Sequence, residues 1–120
     1  MRFLAILFLP LALSAQTLTG VVDIHAHADP DSSKRPRSID VIDLAKLAKS
    51  RGMRGFVIKN HYESSAAMAY LVRKAVPGIE VFGGIVLNRP AGGINAAAID
   101  YMTKVKGGWG RIVWMPTEDA

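Results

Sequence analysis

Four short apolar runs begin near positions 21, 55, 80 and 111, and three stretches with helical apolar spacing lie between them. This β-α-β-α-β-α-β order constrains the fold more than any other feature. Strands joined through helices pair in parallel by right-handed crossovers, so the expected class is α/β with parallel (βα) repeats. Val21 to His25 reads as the first strand, Gly55 to Ile58 as the second and Glu80 to Leu87 as the third. Arg111 to Met115 reads as the fourth, stopped by Pro116. Gly83-Gly84 inside the third run predicts a bend or a close backbone approach.

The intervening helices carry their own signals. Ser38 is the expected N-cap of a helix running to about Ser50, with Val41, Leu44, Ala45 and Ala48 at i, i+3, i+4 and i+7 and Gly52 as a left-handed terminator. A second helix opens at Ser64 or Ser65, turns Met68, Leu71, Val72 and Ala75 inward, and ends at Val76-Pro77-Gly78. Asn88 to Gly93 is a Gly/Pro loop. A third helix spans Asn95 to Lys106, with Ala98, Ile99, Met102 and Val105 inward. Four parallel strands and three helices make a thin domain, whereas a (β/α)8 TIM barrel takes about 250 residues. The 120-residue chain is therefore expected to hold the N-terminal half of such a barrel over residues 16–120, cut short as a fragment or by a premature stop.

Residues 1–15 have the organisation of a secretory signal peptide: Met1-Arg2 is positive, Phe3 to Leu13 is apolar, and Ser14-Ala15 offers small residues for cleavage before Gln16. That apolar run is shorter than the ~20 residues a bilayer span requires. The expectation is an exported protein, periplasmic or secreted, with no stable membrane span. Without cysteine the chain has neither disulfides nor thiolate ligands, so any metal must use histidine, carboxylate or modified lysine. The net charge is +5, but the basic residues are scattered apart from Lys34-Arg35-Pro36-Arg37, and aromatics do not interleave with them. No nucleic-acid partner is expected. The cluster reads as a solvated loop, and the overall balance suits a small, anionic substrate. Self-association into a homo-oligomer is left open.

The chemistry concentrates where strands end. Asp23-Ile24-His25-Ala26-His27 closes the first strand, and alternate side chains on a strand share a face. His25 and His27 are thereby candidate metal ligands, since neutral imidazoles suit zinc and other first-row divalent ions, manganese and iron among them. Lys59 and His61 repeat the i, i+2 spacing after the second strand and are the candidate catalytic residues. Lys59 is suited to orienting an anionic substrate, to stabilising an oxyanion, or, when carboxylated, to bridging metals. Asp23 or Asp29 could fix an imidazole tautomer. Asn88 and Glu118 follow the third and fourth strands, where they would position the site or meet substrate. Catalytic groups of (β/α)8 barrels sit at these strand ends.

The Asp-x-His-x-His strand followed by βα repeats resembles the start of amidohydrolase-superfamily metal-dependent hydrolases. The ordered set Lys59-Asn60-His61, Val76-Pro77-Gly78, Leu87-Asn88 with Gly92-Gly93, and Met115-Pro116-Thr117 resembles more closely an uncharacterised, amidohydrolase-like bacterial family over residues 21–120. The resemblance implies His25 and His27 as first-strand ligands of a divalent metal. The superfamily's bridging lysine or glutamate ends strand four. Glu118 stands near that place and Lys59 does not, which sets this chain apart from the binuclear pattern. The superfamily's later ligands fall on strands beyond Ala120.

Three functions are compatible with these residues. One is a metal-dependent hydrolase of C–N or C–O bonds working through metal-activated water. A second is a non-catalytic truncated half-barrel, and a third is a metal-dependent phosphoesterase or nuclease on the same fold.

Overall fold

The computed structural model describes residues 17–119. The element order is β1 (Val22–Ala26), α1 (Val41–Ser50), β2 (Gly55–Ile58), α2 (Ala66–Ala75), β3 (Glu80–Val86), α3 (Ala96–Lys104) and β4 (Gly110–Trp114), with one turn of 3-10 helix at Arg89–Ala91. The strands form one sheet in the order β1-β2-β3-β4, and every neighbouring pair is parallel. The α/β class with sequential parallel βα units thus stands. The signal-peptide segment, residues 1–15, lies outside the described residues. None of the described helices is long and apolar enough to cross a membrane.

The helices pack on one face of the sheet. Phe56, Ile58 and Val81 meet Val41, Ala45 and Ala48 of α1 and Ala69 and Val72 of α2 in one buried cluster. Ile85 and Leu87 meet Ala66 and Met102 in a second, flanked by Ala98, Ile99 and Val105. Alternation turns His25, Val57, Lys59, Gly84, Val86 and Trp114 to the opposite, open face.

Three local expectations are corrected by tertiary contacts. Helix α1 is capped by Asp40, not Ser38: Asp40 Oδ1 accepts from Ile42 N at 2.8 Å and Asp43 N at 2.9 Å. The reason is a bridge from the β1–α1 loop, in which Asp29 N donates to Ile39 O at 3.0 Å and Asp29 O accepts from Val41 N at 2.8 Å. That bridge holds residues 39 and 40 extended and delays the helix. Ser65 does open α2, but its hydroxyl makes no cap. It lies fully buried between strands, 2.7 Å from Ile58 O and accepting from Gly84 N at 2.9 Å.

The third correction concerns the buried stripe of α2, which is Ala66-Ala69-Val72. Leu71 is 62% exposed and Ala75 is also on the surface. Small residues face the sheet because the helix comes close there: a Cβ on Gly83 would stand 2.4 Å from Ala66 Cα. Gly84 is constrained from the other side, since a Cβ would meet the Trp114 ring at 2.4 Å. The register of β3 against β4 shifts between these glycines, so the expected close approach and irregularity coincide.

Candidate metal centre

The C-terminal ends of all four strands meet in one polar cluster. From β1 come His25 and, just past its end, His27. The residues after β2 supply Lys59, Asn60 and His61, those after β3 supply Asn88, and those after β4 supply Glu118. Lys59, Asn60, His61 and Asn88 are all buried.

His25 and His27 come together as the spacing predicts. Their Nε2 atoms are 3.2 Å apart, close to the roughly 3.3 Å between two nitrogens bound at ~2.05 Å on one tetrahedral ion. His27 Nδ1 is buried and makes no well-formed hydrogen bond. Burial, and after it the positive charge of Arg37, lowers the His27 pKa from 6.5 to about 4, with the Lys59 backbone opposing the shift. The imidazole is therefore neutral at physiological pH, as a metal ligand must be.

Lys59 and His61 both enter the site but diverge, because both lie beyond the last residue of β2. Lys59 turns to the open face, with Nζ 3.2 Å from His25 Nε2 and 5.5 Å from the centre of the Trp114 ring. Burial lowers its pKa, and Glu118 acts against that shift. His61 instead stacks on His27, with ring centres 4.7 Å apart. Arg37 Nη2 lies 3.1 Å from His61 Nδ1. A guanidinium only donates, so Nδ1 is the acceptor and the ring proton belongs on Nε2, which is 3.5 Å from Glu118 Oε1.

Two residues of this cluster were not among the sequence-based candidates: Asp31 and Arg37, both from the β1–α1 loop. Arg37 Nε donates to Asp31 Oδ2 at 3.0 Å, and the Asp31 side chain is 1% exposed. Burial alone would raise the Asp31 pKa, but the hydrogen bond from Arg37, aided by the Ser33 backbone, holds it below its ordinary value. The position of the loop, after the first strand of a βα unit, is the signal that could have found them. Asn60 helps to seat that loop, donating from Nδ2 to Pro30 O at 3.3 Å.

His27, Asp31 and His61 offer donor atoms within 4.8 Å of one another, a second arrangement able to hold an ion. The Arg37 guanidinium, however, is bonded to Asp31 and His61 and already supplies positive charge there. The His25–His27 pair likewise has a cation beside it, Lys59 Nζ at 3.2 Å from His25 Nε2.

The remaining sequence candidates are positioned as follows. Asn88 is fully buried and ties three strand ends together. Its Nδ2 donates to His61 O at 2.8 Å, while Oδ1 accepts from Thr117 N at 2.8 Å and Glu118 N at 3.2 Å. It therefore sets where His61 and Glu118 stand. Asp23 does not reach an imidazole nitrogen; its Oδ1 accepts from His25 N at 2.8 Å and shapes the exposed backbone there. Asp29 acts through the backbone bridge to residues 39 and 41.

Four sequential parallel strands joined through three α-helices, with polar groups gathered at the strand C-termini, place the chain among the parallel α/β proteins. Residues 20–120 match a family described as a family of unknown function, DUF6282, and the chain belongs to that family. No curated protein matches the chain. No solved structure matches it either.

Proposed function

We propose that this chain carries the metal-binding N-terminal half of a (β/α)8-barrel hydrolase of the amidohydrolase type, acting on C–N or C–O bonds of a small molecule. The observation that carries the reading is the His25–His27 pair, with Nε2 atoms 3.2 Å apart at the end of the first strand. The sheet supports the barrel half of the proposal, since its strands run parallel in sequential order with helices on one face. Export by residues 1–15 is proposed with it, on their charge and apolar pattern.

His25 and His27 would hold a divalent ion, zinc being the best match to two neutral imidazoles. Such an ion, when bound, supplies Lewis acidity and lowers the pKa of water from about 15.7 to roughly 7. The chain's own residues then divide the remaining work. His61, its Nδ1 held by Arg37, presents an Nε2 proton toward Glu118, a pairing suited to proton transfer. Asn88 keeps both partners of that pair in place. Lys59 supplies positive charge beside His25.

The test is metal uptake and turnover by the purified full chain. Cobalt(II) titration followed by visible absorption is expected to give one ion per chain, and the H25A/H27A double variant is expected to take up none. Amide and lactone panels then probe the reaction. Equal cobalt uptake by the wild type and the double variant would sink the metal reading. Cleavage confined to phosphodiesters would replace the amidohydrolase assignment with a phosphoesterase.

A further inference from the structure

Lys59 poses a separate question. The residue is only 4% exposed, yet among the described residues its ammonium group, with three donors, has a single hydrogen-bond contact, His25 Nε2 at 3.2 Å. Among the described residues no carboxylate lies within 4.0 Å of it. Glu118 acts on it only at longer range. A buried cation without a counterion is costly, and the neighbouring residues do not remove that cost. The contact to His25 is also not a lasting one on the reading above, because the same Nε2 lone pair cannot accept from Lys59 and bind an ion.

The surroundings define what would complete the site. Trp114 lies across β3 from Lys59, its ring centre 5.5 Å from Nζ and 6.3 Å from that of His25. Gly84 leaves room for the indole, which is partly exposed. Val57 and Val86, both buried, occupy the same open face. One buried positive charge therefore adjoins a partly exposed aromatic surface. The Glu118 carboxylate nearby adds a negative potential that would disfavour a doubly charged group.

We infer that Lys59 and Trp114 form a recognition site for a substrate carrying a single carboxylate on a flat or apolar body, the carboxylate pairing with Lys59 and the body lying against the Trp114 ring. This deepens the hydrolase reading by naming its substrate class, and it rests on that reading for the claim that the bound molecule is a substrate. Lys59 is thereby a specificity-determining residue, and a carboxylate there would be adjacent to His25.

The experiment is calorimetric binding to the full chain with three matched probes, benzoate, benzamide and phenyl phosphate, with metal content measured on the same samples. Benzoate is expected to bind at least ten-fold more tightly than benzamide and more tightly than phenyl phosphate. K59M, which keeps the length and apolar stem of the lysine, is expected to lose at least ten-fold in benzoate affinity and to keep its metal uptake. Lack of benzoate binding at millimolar concentration would overturn the inference. So would equal binding of benzoate and benzamide, unchanged benzoate affinity in K59M, or a preference for phenyl phosphate. The benzoate–benzamide comparison uses wild-type protein alone, so it does not depend on the variant folding. Benzoate binding without metal uptake would remove the metal reading and leave the carboxylate site standing, whereas metal uptake without benzoate binding would do the reverse.

Discussion

The two rims of the sheet carry similar polar residues and use them differently. At the N-terminal rim, Arg54 and Glu80 pair at 2.9 Å in the open, 63% and 38% exposed. Arg73 lies over Trp109, 3.8 Å from the ring centre, and donates to the carbonyls of Val81 and Gly107. Each cation there has partners or water. At the C-terminal rim, Lys59, Asn60, His61 and Asn88 are buried, while His27 Nδ1 and Asn60 Oδ1 have no well-formed hydrogen bond. Buried polar groups are normally satisfied because leaving them unpaired costs roughly 1–3 kcal/mol each. A rim that leaves bonding capacity unused gives up stability, which is what a binding site does.

This contrast can be broken or sharpened by mutation. The largest effect is expected at Asn88, which joins the segments after β2, β3 and β4. N88A should cost about 2–4 kcal/mol, since one side chain leaves a buried carbonyl and two backbone amides without partners. Urea unfolding measures it. A cost below about 1 kcal/mol would mean that the C-terminal rim is not held by this hydrogen-bond hub.

Next comes Arg73 on the opposite rim. R73M keeps the apolar stem but loses the guanidinium contact with Trp109 and two carbonyl bonds, for an expected loss of about 1–2 kcal/mol. If R73M proved costlier than N88A, the two rims would exchange roles as the main structural anchor.

A pH titration of metal-free protein separates the rims without mutation. The folded-state pKa of His27 is about 4, below the ordinary 6.5, so the unfolded chain binds more protons between those values. Its contribution is complete above about pH 6.5 and falls as pH drops to about 4. Given the partial exposure of the ring, a loss on the order of 1 kcal/mol is expected. Asp31 extends the decline, because its depressed pKa makes a contribution that is present above about 3.9 and is lost at lower pH. H27Q should flatten the upper part of the curve. An unchanged slope in H27Q would show that another group carries it.

The smallest effect belongs to the exposed pair. R54A should cost at most ~0.5 kcal/mol, because water screens that interaction. A thermal melt that shifts by more than for R73M would contradict this contrast between the rims.

Most of the fold was legible because it depends on local periodicity. The four strands lie within a residue of where β-branched runs place them, and Asn95 caps α3 as its side-chain chemistry allows, accepting from Ala97 N and Ala98 N. The site was legible in part. His25 and His27 are two apart in sequence across the end of β1, and their Nε2 atoms meet there. Asp31 and Arg37 sit in a polar, basic loop that resembles solvated surface. They turn inward only when Asp29 bridges to residues 39 and 41 and Asn60 reaches Pro30, and these contacts span 10 to 30 positions. Lys59 and His61 both stand past the end of β2 and enter one cluster, but they serve different neighbours, Lys59 meeting His25 and His61 stacking on His27.

By itself, then, the amino-acid sequence determined the βα alternation, the helix faces of α1 and α3, the need for glycine at 83 and 84, and the placing of two histidines two apart at the end of β1, all of which follow from short-range spacing along the chain. Tertiary structure decided which polar groups are buried. It also drew Arg37 onto Asp31 and His61, made Ser65 a clamp between strands and not a cap, and turned Leu71 outward. Those outcomes depend on desolvation and on hydrogen bonds between distant segments, and their energies do not exist until the sheet has brought the strand ends together.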